Sequence, residues 1–272
     1  MPVDHYENFP VASLLLPRRL RQPIEAIYRF ARGADDLADE GEVSASQRLQ
    51  GLAAYRAEIE RIAAGLPPAT SAFVDLAQVI GQWRLPTELF LDLLDAFAQD
   101  VRQSRYEDFR QLLDYCRRSA NPVGRLVLHL VDRCDEEQLR RSDCICTALQ
   151  LINFWQDIAI DWRKGRVYLP QEDLRRFGIT ESQIAAGNWN EDWAALLDFE
   201  IARTRHLLLD GAPLVRQLPG RLGWEIRLTI QGGLRILERI TAVRGDVFQH
   251  RPVLRLSDWL RLSGRAMTMS VM

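Results

Sequence analysis

Two acidic rows stand on separate segments of this 272-residue chain. The first segment reads YRFARGADDLADEG and places Asp35 and Asp39 four residues apart, with Asp36 beside them. The second reads LINFWQDIAIDWRKGRVYLP and carries a polar row at successive intervals of four, formed by Asn153, Asp157 and Asp161. A spacing of four puts side chains on one face of an α-helix, so each segment predicts a helix that presents a carboxylate row.

The surroundings of the second row distinguish a surface feature from a binding site. On an exposed helix an acidic pair four apart is common, and its repulsion costs only about 0.2–0.5 kcal/mol. The second row is set among Ile, Phe and Trp, which indicates a largely buried helix whose carboxylates need cations or a wet cavity. Carboxylate oxygens suit Mg²⁺, which also takes substrate phosphate oxygens. With Arg32, Lys164 and Arg166 beside the acids to bind phosphate, the rows predict metal-assisted release of a diphosphate.

The elements that must position these rows are predicted to be helical. Apolar residues recur at helical spacing, and almost nothing alternates with a period of two. Helices are predicted over 24–31, 49–62, 71–82, 87–100, 109–131, 136–164, 191–217, 221–244 and 256–268. Pro23 suits a first helical turn, and residues 165–170 are expected to be extended only locally. We therefore predict an all-α fold in one domain over residues 1–272.

Composition narrows the class of protein. The chain is 47% hydrophobic and 26% charged, as in ordinary globular proteins. Its net charge of -2 gives no reason to expect a nucleic-acid partner. The four cysteines include a C-x-C pair, Cys144 and Cys146, without the further ligands of a zinc spacing, so reduced thiols are expected. No secretory or membrane-spanning segment is recognisable, and a cytoplasmic location is expected.

The two acidic rows, together with the RVYLP tail at 166–170, resemble the motifs of the squalene/phytoene synthase family. The likeness runs from His5 to the stretch RGDVFQHRPVLRLSDWLRL. It implies an all-α class I isoprenoid synthase fold with a central cavity and two or three Mg²⁺ ions. The expected ligands of these ions are Asp35, Asp36, Asp39, Asp157 and Asp161. The fragments HYENFPVASLLLP and DYCRRSANPVG are most similar to family members that convert presqualene diphosphate, rather than two farnesyl diphosphates, to a C30 alcohol.

The resemblance also implies roles for individual residues. Arg32, Lys164 and Arg166 are expected to stabilise the departing diphosphate. Further contacts with substrate are expected from Asn153, Gln156, Tyr168, Phe9 and Tyr115. The cation formed on ionisation must be captured by water at a positioned polar group. The sequence leaves that group open among His5, Tyr6, Glu7, Tyr28 and Tyr115, of which Tyr28 and His5 are expected to be catalytic. Aromatic residues either line the cavity or belong to an ordinary core: Phe9, Phe30, Phe154, Trp155 and Tyr168.

Three departures from relatives that bind two diphosphates, at Glu7, Arg117 and Gln156, favour a site for one diphosphate. No G-x-G-x-x-G element follows a strand, so NADPH is not expected as a cofactor. Synthesis of presqualene diphosphate, dehydrosqualene or phytoene remains an alternative, as does a non-enzymatic relative or an unrelated helical interaction module. A downstream reductase is expected to receive the product. The amphipathic segment PVLRLSDWLRLSGRAM predicts either peripheral contact with the inner membrane or a helix packed on the core.

Overall fold

The computed structural model describes residues 17–41 and 43–268 as α-helices joined by short connections. These helices are α1 Arg18–Asp39, α2 Ala45–Ala63, α3 Val74–Trp83, α4 Thr87–Asp100, α5 Phe109–Ser119, α6 Asn121–His129, α7 Glu136–Arg163, α8 Gln171–Arg176, α9 Glu181–Ala186, α10 Glu191–Gly211, α11 Gly220–Ala242 and α12 Leu256–Thr268. Short 3-10 segments at Ser71–Phe73 and Ala212–Arg216 precede α3 and follow α10. The β-type pairing in the described ranges is an isolated bridge between Arg105 and Val167. The prediction of an all-α fold is confirmed.

Several predicted helix limits are wrong for identifiable reasons. Helix α1 begins at Arg18, so Pro23 lies inside it and not in its first turn. Residues 109–131, predicted as one helix, form two, because the backbone leaves the helical region at Ala120 (φ -120°, ψ -47°) just before Pro122. Proline lacks the N–H that would continue the hydrogen-bond ladder from the preceding helix. The break matters for function because it redirects the chain between α5 and α6.

Two further differences lie in the second half of the chain. The helix predicted over 191–217 ends as α-helix at Gly211 and continues as the 3-10 segment that contains Pro213. Helices α8 and α9 were not predicted at all. Each has six residues, which is too short for a helical apolar repeat to be visible in the sequence.

Helix α7 is central to the packing and carries the second acidic row. It packs against α6, α10 and α11. Two buried side-chain hydrogen bonds fix its rotation: Thr147 Oγ1 donates to Asn121 Oδ1 at 2.9 Å, and Trp155 Nε1 donates to Thr204 Oγ1 at 2.8 Å. Since the acidic row lies on the opposite side of the helix from Trp155, it is turned away from α10.

Helix α1 carries the first acidic row and packs against α2, α3 and α4. Phe30 lies in this interface, with its ring centroid 5.2 Å from that of Phe90 and 5.8 Å from that of Tyr55. Trp155, on α7, is fully buried. Of the two alternatives for these aromatic residues, Phe30 and Trp155 are therefore core residues, and neither lines the cavity beside α1 that is described below.

The C-terminal helix α12 packs on α11, which is the second of the two alternatives for this segment. Asp258 is buried and accepts hydrogen bonds from Arg235 at 2.8 Å and Arg239 at 2.6 Å. The outer face of α12 still exposes Trp259 and Met267. Within residues 17–41 and 43–268, none of the helices has both the length and the apolar character needed to cross a bilayer.

Candidate active site

A cavity of about 290 Å³ lies beside α1, and α4, α5, α6 and α7 form its other walls. One face of α1 contributes Ile24, Ile27, Tyr28, Ala31, Arg32 and Asp35. The other helices contribute Phe97, Ser119, Val123, Val127 and Gln150. Along α1 the lining changes from apolar at Ile24 to charged at Asp35. The cavity is therefore suited to a molecule with a long hydrocarbon part and an anionic end.

The anionic end of such a molecule would meet both acidic rows, because ion pairs join α1 to the residues that follow α7. Asp39 pairs with Lys164 Nζ at 3.0 Å and with both terminal nitrogens of Arg166. Gly165 makes this possible with its positive φ of 76°, which closes α7 in a Schellman motif. The Arg166 N–H donates to the Asp161 carbonyl at 2.8 Å, which turns Lys164 and Arg166 back toward α1.

The carboxylates of the two rows differ in their surroundings. Burial raises the pKa of Asp161 to about 7, and the neighbouring Asp157 carboxylate raises it further against the opposing effect of Arg166. Burial also raises the pKa of Asp35 to about 6, with Asp39 acting in the same direction. The pKa of Asp39 itself is lowered, since hydrogen bonds from Arg166 and Lys164 outweigh its burial. Asp161 and Asp35 are thus the carboxylates that would gain most from an added cation.

Other acids of the rows hold basic partners. Arg251 binds both oxygens of Asp157, with a 3.1 Å contact from its terminal nitrogen, and Arg32 pairs with Asp36 at 2.7 Å and Asp35 at 3.5 Å. Among the described side chains, no three potential ligands stand close enough together to form a metal cage. The donor set still fits Mg²⁺, which needs only one or two carboxylates when a substrate supplies phosphate oxygens. The assignment of Asp35, Asp39, Asp157 and Asp161 as its ligands stays a prediction.

A half-buried acid that was not predicted from the sequence, Asp100, lies near the rows. Asp100, at the end of α4, accepts hydrogen bonds from Tyr115 Oη at 2.7 Å and Tyr168 Oη at 3.4 Å. Burial raises the pKa of Asp100 to about 6 despite the Tyr115 hydrogen bond. Tyr168 stacks on Phe154 with ring centroids 3.7 Å apart. These contacts hold both predicted tyrosines beside the acidic end of the cavity.

Asp100 and Arg251 were not predicted from the sequence, and only Asp100 had a sequence pattern that could have indicated it. Asp100 follows Leu93 and Phe97 on the apolar stripe of α4, where an acid is out of place, and this was a usable signal. Arg251 gave none, because it lies in the non-helical stretch between α11 and α12, which has no periodicity.

Some predicted site residues lie in other places. Gln156 is 1% exposed and donates its side-chain amide to the Pro252 carbonyl, so it holds the segment that carries Arg251 instead of facing the cavity. Arg117 is exposed and pairs with Asp114, so its departure from the family pattern does not bear on the site. Asp36 approaches Tyr55, whose pKa is raised by burial and by this carboxylate.

The remaining predicted site residues fall into two groups, those that the structure describes and those that it does not. Tyr28 and Arg32 line the cavity as expected. Asn153 is half-buried in the same row as Asp157. His5, Tyr6, Glu7 and Phe9 lie outside the described residues. The roles of all these residues stay predictions.

We expect Mg²⁺ to stabilise the protein more strongly at pH 8 than at pH 5.5. The raised pKa values of Asp35 and Asp161 mean that, between about pH 4 and 7, the folded state holds more protons than the unfolded state. The free energy of unfolding therefore falls as pH rises through this window, because both carboxylates lose their protons in the folded state. A bound cation offsets this loss of stability. At 100 times its Kd, a ligand adds about 2.7 kcal/mol, or several degrees in Tm.

Differential scanning fluorimetry with and without Mg²⁺ at the two pH values measures this effect. Asp161→Asn should reduce the Mg²⁺-dependent rise in Tm at pH 8, whereas Asp198→Asn, on the exposed face of α10, should leave it unchanged. An equal Mg²⁺ response at both pH values would contradict the expectation.

Comparison with known proteins agrees with this site and fold. The model of the squalene/phytoene synthase family matches residues 3–258. Over 267 residues the chain is 34% identical to a hydroxysqualene synthase of Rhodopseudomonas palustris, covering 97% of this chain and 89% of that protein. It is 30% identical over 257 residues to a 15-cis-phytoene synthase of Synechococcus elongatus, covering 90% and 83% respectively. The crystal structure of squalene synthase HpnC from Alicyclobacillus acidocaldarius superposes with a TM-score of 0.82 at 41% identity, covering 88% of this chain and 90% of that one. The chain therefore belongs to the squalene/phytoene synthase family, whose members process prenyl diphosphates.

Proposed function

We propose that this enzyme is a hydroxysqualene synthase, which converts presqualene diphosphate and water to hydroxysqualene and diphosphate. The observation that carries the proposal is the cavity that runs from apolar residues to Asp35 of the first acidic row, which ion pairs of Asp39 join to the basic residues that follow the second row. Similarity to hydroxysqualene synthases supports the specific activity, although the phytoene synthase of Synechococcus elongatus has a comparable identity. The product of the reaction is therefore what an experiment must identify.

Each end of the cavity would contribute to a different part of the reaction. Asp35, Asp39, Asp157 and Asp161 would hold Mg²⁺, which would supply Lewis-acid neutralisation of the diphosphate charge. Arg166 and Lys164 would leave their ion pairs with Asp39 and bind the phosphate oxygens. Arg32 lines the cavity and would bind the diphosphate as well. Because these cations already stand beside the acids, little reorganisation is needed when the leaving group forms.

The apolar end of the cavity would protect the carbocation. Loss of diphosphate leaves a cyclopropylcarbinyl cation, which rearranges to an allylic cation before water adds. Ile24, Ile27, Val123 and Val127 offer no nucleophile and keep bulk water away. Tyr28 lines the cavity between this end and Arg32, and an aromatic ring at this position would stabilise the cation.

Incubation of the purified chain with presqualene diphosphate, and separately with farnesyl diphosphate or geranylgeranyl diphosphate, tests the proposal. We expect presqualene diphosphate to give hydroxysqualene and one equivalent of diphosphate, with the reaction stopped by EDTA and restored by Mg²⁺. Omission of NADPH should change nothing. Turnover of farnesyl diphosphate or geranylgeranyl diphosphate alone, with no product from presqualene diphosphate, would overturn the proposal in favour of another activity of the family.

The product is a C30 alcohol with very low solubility in water, so we also propose that it passes to a membrane or directly to a downstream reductase. The outer face of α12, with Trp259 and Met267, is the surface that supports peripheral contact with lipid.

A further inference from the structure

Ser119 is one of the polar residues that line the cavity. It is the last residue of α5, and its neighbours in the lining are Val123, Val127 and Phe97. Its position follows from the break at Ala120, where the Asn121 side chain is held by the hydrogen bond from Thr147. Without this break α5 would continue past Ser119 along a different path. The local fold thus places the Ser119 side chain in the cavity wall.

The Ser119 hydroxyl oxygen is buried and, within the described part of the chain, has no hydrogen-bond partner. A serine near the end of a helix ordinarily bonds the carbonyl three or four residues earlier, and Ser119 does not. A buried hydroxyl without a partner is unfavourable, because the hydrogen bonds that it made to water in the unfolded chain are not replaced. A polar molecule in the cavity would remove this cost, since the cavity is the space that the side chain lines.

The location of Ser119 is close to where the reacting carbons would lie. It follows Tyr115 by one helical turn on the same face of α5, and the Tyr115 hydroxyl is bonded to Asp100 beside the acidic end. Gln150, on α7, lines the same cavity one turn before Asn153. Ser119 therefore lies between the diphosphate end and the apolar end marked by Val127.

We propose that Ser119 binds and orients the water molecule that captures the carbocation, which makes it a positioning residue for the alcohol product. This inference rests on the proposed hydroxysqualene synthase activity. The water oxygen forms the new C–O bond to the allylic carbon, one of its O–H bonds breaks, and the proton passes to the departed diphosphate. Ser119 accepts a hydrogen bond from this water or donates one to it and is itself unchanged at the end of the turnover.

The test is the distribution of products from presqualene diphosphate with Ser119→Ala, expressed per diphosphate released. We expect the fraction of hydroxysqualene to fall at least fivefold, and hydrocarbons formed by proton loss, or alcohols from capture at other carbons, to replace it. Ser119→Thr keeps a hydroxyl at this position and should restore hydroxysqualene as the main product. A structural role alone would change the total rate or the Tm without changing this ratio.

Ser142→Ala is the matched control, because it removes a buried serine hydroxyl on α7 that does not line this cavity. It should leave the product ratio as in the wild type. Wild-type product ratios from Ser119→Ala would overturn the role of Ser119 while the proposed function stands. If the wild-type enzyme itself gives no hydroxysqualene from presqualene diphosphate, the proposed function and this inference both fail.

Discussion

Asp161→Asn should abolish most Mg²⁺-dependent release of diphosphate, with kcat/KM lowered about 10³-fold. The carboxylate is half-buried, which raises its pKa to about 7, and within the described residues it makes no ion pair. Metal bound there supplies several kcal/mol of charge stabilisation in the transition state, and about 4 kcal/mol corresponds to 10³-fold in rate. Coupled detection of released diphosphate at pH 8 measures the loss.

The same variant separates catalysis from folding. At pH 8 the wild-type Asp161 is ionised at a cost to stability, because its pKa in the folded state lies above that of an unfolded chain. Asparagine removes this cost, so without metal the variant should unfold at a temperature no lower than that of the wild type. Asp198→Asn should keep full activity. Activity of Asp161→Asn within threefold of the wild type would show that Asp161 does not hold the metal.

Arg203→Met should destabilise the protein by about 3–5 kcal/mol, the usual cost of leaving buried acids without their counter-charge. Arg203 donates hydrogen bonds to Glu200 at 2.7 Å and to Asp173 at 2.8 Å. The Glu200 side chain is fully buried, and that of Asp173 is 5% exposed. The Arg203 guanidinium also lies 3.6 Å from the ring centroid of Phe109. This contact ties α5, α8 and α10 together behind the segment that carries Arg166. Urea denaturation followed by circular dichroism at pH 8 measures the change.

The control for this variant is Arg175→Met, which removes the exposed pair between Arg175 and Glu107. Exposed pairs contribute about 0–1 kcal/mol, so the two arginine variants should differ by more than 2 kcal/mol. A change below 1 kcal/mol for Arg203→Met would show that the buried acids are neutral and need no partner. In that case the raised pKa of Glu200, about 8 because of its burial, would account for the result.

The fold was largely predictable because helical periodicity survives in long helices such as α7 and α11. The prediction of helices was wrong only at particular helix ends and for two short helices. Pro122, next to the break at Ala120, is also compatible with the first turn of a helix, so it did not by itself indicate two helices. Six-residue helices such as α8 carry too few apolar positions to show a repeat. Where the chain turns between helices, tertiary contacts such as Thr147 to Asn121 determine the path, and sequence spacing does not contain them.

The site was predictable to the extent that its residues repeat along one helix. The rows through Asp35 and Asp161 follow from spacing alone, and the structure brings the two helices together at Asp39. Residues that reach the site singly were missed, as with Asp100, Ser119 and Arg251. A side chain of this kind has no partner in its own segment, so only the packing of helices distant in sequence shows what it meets.

The central claim, that both acidic rows hold the same metal ions, is tested most directly by a crystal structure with Mn²⁺ and inorganic diphosphate, using anomalous scattering to locate the ions. We predict that the ions lie between α1 and α7, with ligands from Asp35 or Asp39 on one side and Asp157 or Asp161 on the other, and that Lys164 and Arg166 have moved from Asp39 to the diphosphate. Ions bound to one row only, with the ion pairs of Asp39 intact, would contradict the account.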